Sequence, residues 1–250
     1  GAGPRAGGTR WRRHHGPHAV QTALECAKGG LAVALLSPAS AYHAGGGFLT
    51  GGKHALEEAM SVQSTLFQSL EVAQQLAQRE QVEPPARARA ATNARGEPWR
   101  CYIPEDGVVL SPKVEFFRGD SSQGYPFHEQ PTAVAAVVSV AMPNCNPQVS
   151  DAPLDAPEGR EEYRAVLARK FAAALGAAAS VGAEALVVPD VGCGVYRNNA
   201  EEVGNAFGKA VLQGFQGAFA EIHLVGGDGF GAAAQAAGQA PAHEPASSSS

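Results

Sequence analysis

The chain has 250 residues with a net charge of −5, 17% charged and 44% hydrophobic residues, and only four Cys. Its 30 Gly and 17 Pro make up about 19% of the chain, against an ordinary ~12%. These numbers exclude a disulfide scaffold, wholesale disorder and a generic basic nucleic-acid binder. No Met stands at position 1, so the sequence reads as a fragment or a processed chain.

Residues 1–17 are basic and lack an apolar run. They are expected to be a flexible linker or a transit-peptide remnant. Residues 18–28 have helical spacing, closed by Gly29-Gly30. Residues 31–36 form a continuous apolar run, the pattern of a strand buried on both faces. A Gly-rich loop leads to residues 55–79, which read as one helix. Residues 78–98 hold Pro84, Pro85 and several Arg, and read as a loop or insertion within the domain. Trp99 and the arginines between 87 and 95 are placed in solvated loop. Residues 108–117 and 132–141 read as strands, 161–179 as a long helix, 185–188 as a buried strand, 200–215 as a helix and 220–225 as a last strand. Residues 231–250 have almost nothing large to bury and are expected to be a disordered tail. No segment has the ~20 strongly apolar residues of a membrane span. Buried strands alternating with helices predict one α/β domain over residues 18–230, and ligands bind such sheets beyond the carboxyl ends of the strands. The Gly clusters at 45–47, 192–194 and 226–229 all fall there.

Two of these clusters suggest chemistry. Gly45-Gly46-Gly47 lets backbone pass close to a bulky ligand, and a helix opens soon after with Glu57-Glu58. A Gly triplet and a helix N-terminus suit an anion, and the two acids suit hydroxyls, so a sugar phosphate is the expected ligand. Gly192-Cys193-Gly194-Val195-Tyr196 repeats the arrangement, with an aromatic face for a sugar or base. Cys193 itself reads as a small buried residue. His43 is a loop residue left out of the ligand-binding set. His43, His54 and His128 lie in unlike segments and the Cys share no metal spacing, so no metal site is expected.

Four ordered motifs carry a resemblance. The triplet Gly45–Gly47 is followed, eight residues later, by Leu56-Glu57-Glu58. Then come Ser111-Pro112-Lys113-Val114 with Phe117-Arg118, Ala141-Met142-Pro143-Asn144, and Gly192, Cys193, Gly194, Tyr196 and Asn198. In this order and spacing the chain resembles the microbial-type poly(ADP-ribose) glycohydrolases, a branch of the macrodomains, from about Val20 to Asp228. It departs from them where Leu56 stands for Gln, Ser37-Pro38-Ala39 for Asn-Phe-Ala, and Ala44 for Pro.

The resemblance implies a macrodomain-like three-layer α/β/α sandwich around a mixed, mostly parallel sheet, with a first strand upstream of Trp11 that the sequence given could lack. It implies hydrolysis of the ribose–ribose O-glycosidic bond, releasing ADP-ribose. Adjacent helical residues point about 100° apart and cannot flank one bond, so one Glu acts alone. By resemblance Glu58 is the general acid and Glu57 binds ribose hydroxyls. Gly45, Gly46, Gly47, Gly192, Cys193, Gly194 and Val195 would hold the diphosphate. Tyr196 would pack on the distal ribose, and Ser37 and Asn198 would complete the site. The alternatives are a catalytically weak ADP-ribose reader and a mono-ADP-ribosyl-protein hydrolase. The expected partner is ADP-ribose or poly(ADP-ribose) on modified proteins. No cofactor, direct DNA contact or membrane is expected, and a monomer is. Four free Cys suggest a reducing compartment, cytoplasmic or nuclear, with organelle targeting left open.

Overall fold

In a computed structural model, the protein is described over residues 8–16, 18–51 and 55–239. Residues 1–7, Pro17, residues 52–54 (with His54) and residues 240–250 lie outside the described residues.

The central sheet is built from β1 (Arg10–His15), β2 (Val33–Pro38), β3 (Val109–Pro112), β6 (Ala136–Val140), β7 (Ala185–Pro189) and β8 (Glu221–Gly226), in the order β1-β8-β7-β2-β6-β3. Every neighbouring pair is parallel except β3–β6. The inner strands read as continuous apolar runs because both faces are covered: VALLSP, AVVSV and ALVVP are buried almost throughout. On one face α1 (Ala19–Lys28), α2 (Leu56–Gln63) and α3 (Leu66–Arg79) close a core around Leu35, Met60, Leu70 and Val137. On the other, α4 (Arg160–Ser180), α5 (Ala200–Gly214) and α6 (Asp228–Gly238) close a second around Leu36, Phe171, Phe207 and Phe230. This is the expected three-layer α/β/α sandwich. A separate hairpin pairs β4 (Glu115–Arg118) with β5 (Phe127–Ala133). No helix among the described residues is long and apolar enough to cross a membrane.

Several expectations are corrected. The N-terminal segment is not wholly flexible. Residues 10–15 pair with β8 along their length, and Trp11 packs edge-on against Phe207 at 6.1 Å. Arg10 and Arg12 meet Glu221, so the basic composition that suggested a linker answers an acid across the strands. The first strand among the described residues runs through Trp11.

The tail does not start at Gly231. α6 continues to Gly238 and buries Phe230, Gly231, Ala234 and Gly238. Ala has the best helix propensity, and the Ala-rich face fits α5 because Gly204 and Gly208 let the helices touch. A Cβ on Gly208 would lie 2.3 Å from the Ala234 carbonyl oxygen.

The single helix predicted over 55–79 is two. The Ser64 hydroxyl donates to Met60 O at 2.7 Å and accepts from the Leu66 N–H at 3.2 Å, while the Thr65 N–H turns outward to Glu115 O. Side-chain hydroxyls offering the backbone such partners let it leave a helix. The strand predicted over 108–117 likewise breaks at Lys113, whose φ is +52°.

Candidate functional site

A cleft of about 270 Å³ opens beyond the carboxyl ends of β2, β6 and β7. Pro38, Ala39 and Ser40 continue β2 into it, Val140 and Met142 come from the end of β6, and Pro189 and Asp190 from the end of β7. The first turn of α2 supplies Leu56, Glu57 and Glu58. Gly46 lines one wall, and Gly192, Gly194, Val195 and Tyr196 the other. The short α2, cut off at Ser64, aims its N-terminus and both acids into the cleft.

The two carboxyls have different surroundings. Glu57 is only 5% exposed. Its Oε2 accepts the Ser40 N–H at 2.8 Å, while its Oε1 is buried with no hydrogen-bond partner among the described residues. Burial, opposed by the Ser40 N–H and reinforced by the charge of Glu58, pushes Glu57 well above the usual carboxyl range. Glu58 is satisfied on both oxygens: Oε1 accepts from Gly47 N–H at 2.8 Å and Oε2 from Ala55 N–H at 3.1 Å. The second bond is half of a capping box, which Ala55 cannot reciprocate.

Two glycines are demanded by this geometry. Gly46 has φ +58°, and a Cβ there would stand 2.3 Å from Glu58 Oε1. Gly192 has φ +76°, and its Cβ would lie 2.4 Å from Met142 Cβ.

The backbone donors divide unevenly between the two loops. In the triplet, Gly46 N–H donates to His43 O and Gly47 N–H to Glu58. In the second loop, Gly194, Val195 and Tyr196 N–H find no acceptor among the described residues. The loop is held from behind. Asn146 Nδ2 donates to Val195 O at 2.8 Å, and Asn198 Nδ2 to Pro143 O and Gly192 O, both at 2.9 Å. The cleft lining holds four carboxyls, Glu57, Glu58, Asp151 and Asp190, and no Arg, Lys or His among the described residues. An anion in this cleft is therefore met by free backbone N–H groups.

Of the residues expected at the site, Gly46, Glu57, Glu58, Gly192, Gly194, Val195 and Tyr196 line the cleft. Ser37, Gly45, Gly47, Cys193 and Asn198 do not. Ser37 is fully buried inside β2. Cys193 packs partly against the second core, with its thiol pushed up to about 12 by burial. Asn198 is spent on bracing, its Oδ1 accepting from Tyr163 Oη at 2.7 Å. Ser40, Met142, Asp151 and Asp190 were missed. Asp190 adjoins the Gly192 motif and was readable from it. Asp151 lies in a Pro-rich stretch with no signal of its own. Of the arginines read as solvated loop, Arg89 and Arg95 are exposed, but Arg87 is half-buried, bonded to Asp155 O and paired with Glu105.

Behind the cleft, Asp155 Oδ2 accepts from Tyr42 Oη at 2.7 Å and Oδ1 from Asn144 N–H at 2.6 Å. Tyr42 leads into the Gly triplet. Asn144 leads through Asn146 to the second loop. One buried carboxylate thus anchors both walls.

A family described as Microbial-type PARG, catalytic domain, matches residues 16–119. Among solved structures, poly(ADP-ribose) glycohydrolase from Thermomonospora curvata has a TM-score of 0.68 at 28% identity, covering 94% of this chain and 79% of that one. The same enzyme bound to the inhibitor ADP-HPD has a TM-score of 0.65 at 27% identity, covering 90% and 78%. The enzyme from Deinococcus radiodurans in complex with ADP-ribose has a TM-score of 0.68 at 26% identity, covering 92% and 84%. No curated protein matches the chain.

Proposed function

We propose that the chain is a microbial-type poly(ADP-ribose) glycohydrolase, whose cleft hydrolyses the ribose–ribose O-glycosidic bond and releases ADP-ribose. The observation that carries this is the acid pair on the first turn of α2, facing three free N–H groups across one cleft. The diphosphate lies on the N–H groups of Gly194, Val195 and Tyr196, where no carboxylate competes for the donors. The Tyr196 ring packs on the distal ribose. Glu57, its carboxyl raised by burial, uses its unpartnered oxygen for a ribose hydroxyl and fixes the sugar.

Glu58 acts at the glycosidic oxygen. Both of its oxygens are held by N–H groups, of Gly47 and Ala55, so acid work requires that the bound sugar displace the Gly47 N–H from Oε1. The freed Oε1, carrying a proton, then faces the glycosidic oxygen. It gives that proton to the leaving ribose hydroxyl and, as carboxylate, draws one from the attacking water at C1″. Leu56 supplies an apolar wall where the family has an amide, so ribose orientation falls more heavily on Glu57.

Glu58→Gln is expected to lower kcat on poly(ADP-ribose) by roughly 10²–10⁴-fold, with micromolar ADP-ribose binding kept. The deeper burial of Glu57 favours a second reading in which the roles exchange. That reading wins if Glu57→Gln abolishes turnover while Glu58→Gln spares it. If wild type binds ADP-ribose and releases none from polymer, the protein is a reader.

A further inference from the structure

A second hollow of about 430 Å³ lies outside the cleft, lined by residues 81–84, Arg89, Pro98, Trp99 and Arg100. It is built from the insertion and the two residues after it. Its chemistry is the reverse of the cleft's: an indole and two guanidiniums against one carboxylate. Arg89 is engaged by Glu83 at 2.8 Å and by Pro84 O at 3.1 Å. Arg100 is exposed and has no ion-pair partner among the described residues.

The hollow is joined to the cleft by aromatic contacts. Trp99 meets Tyr42 edge-on at 5.4 Å and His43 at 6.2 Å. His43 O in turn accepts the N–H of Gly46, which lines the cleft beside Glu58. One turn of chain therefore has the glycosidic acid on one side and an indole flanked by arginines on the other.

We propose that this hollow is a second nucleotide subsite, which takes the adenosine diphosphate portion of the polymer unit on the leaving side of the scissile bond. The proposal rests on the activity proposed above. The leaving hydroxyl of such a polymer belongs to an adenosine, so a base and a diphosphate must lie just beyond Glu58. Indole stacking takes any base, and guanidiniums suit a diphosphate. The insertion then serves polymer capture, and the acidic cleft is relieved of attracting the polyanion by itself.

The test compares two substrates with the full chain: long poly(ADP-ribose), and ADP-ribose bearing a nitrophenyl group at C1″, whose leaving group has no nucleotide. Arg100→Glu should raise KM for the polymer about five- to a hundredfold and flatten its salt dependence. Its kinetics on the nitrophenyl substrate should be unchanged. Trp99→Ala should weaken polymer binding to a similar degree, measured against ADP-ribose monomer as control. Equal losses on both substrates, or none on either, overturn the subsite. If wild type cleaves neither substrate, the activity reading fails by itself. Polymer binding then decides the subsite: Arg100→Glu must still weaken it without weakening monomer binding, and otherwise the subsite falls too.

Discussion

Glu57 and Glu58 are neighbours in sequence with opposite surroundings, and the consequence can be measured without substrate. Glu57 titrates higher folded than unfolded because burial opposes its charge. Between the unfolded Glu range near ~4.3 and the raised folded value, the native state holds the extra proton. Stability must therefore fall as pH rises through that window. Urea unfolding of Glu57→Gln across pH 4–8 should show a shallower fall than wild type. An unchanged slope would mean that the carboxyl is not held neutral. Gly46 sets a second test. Ala there combines φ +58° with a 2.3 Å approach to Glu58, so Gly46→Ala should displace the acid and cut kcat at least about tenfold, for a stability cost of roughly 1–2 kcal/mol. Full activity by kinetic assay would show that Glu58 moves freely. Both acids were legible from the triplet and the helix start. Their unequal burial was not, because it depends on Ser40 and on the strand end behind it. Nor was it legible that the triplet's N–H groups are engaged internally, since only the folded turn brings His43 O and Glu58 to them.

At the scale of elements, the two walls of the cleft are coupled through Asp155. Tyr42→Phe removes one hydrogen bond to this buried carboxylate and leaves the Asn144 anchor in place. A bond to a charged group contributes about 1.5–3 kcal/mol, so thermal unfolding should report a loss of that order. Kinetically, kcat should drop more than ADP-ribose affinity, because the triplet wall is loosened and the Gly194–Tyr196 wall is kept. Asp155→Asn should impair both. If Tyr42→Phe weakened ADP-ribose binding as much as it lowered kcat, the two walls would not be separately held. The helices and buried strands were legible because their periodicity is local. The breaks at Ser64 and Lys113 were not, since each is fixed by a partner far along the chain: Glu115 for Thr65, and Ala135 for Lys113. Arg87 and Trp99 escaped for the same reason.

For the whole molecule, a pH-sensitive seam lies at the edge where β1 pairs with β8. His14 Nε2 and His223 Nδ1 are 3.0 Å apart with stacked rings, and Cys26, Glu25, Arg12 and Glu221 surround them. Burial, then His223 and Arg12, hold His14 below its ordinary value despite Glu25. A His lowered in the folded state binds its proton more readily when released, so the seam loses stability as pH falls through the ordinary His range. Amide exchange in residues 10–15 should speed up between pH 7.5 and 5.5 while β7 stays protected. His14→Gln should remove most of that difference, and equal protection at both pH values would refute it.

The strand order also constrains how the chain reaches this structure. Arg10 is in register with Glu221, so the first strand waits for a partner made 211 residues later. Loop closure over that distance is entropically expensive and slow. During synthesis the N-terminal segment must stay unpaired until nearly the whole sheet has emerged from the ribosome, while β2, β6 and β7 are already able to associate. Docking of β1 is then expected late in folding, and α6 lies across it through Trp11 and Gly238. A fluorescence phase from Trp11 should accordingly trail the phases that report the central strands, and removing α6 should abolish it.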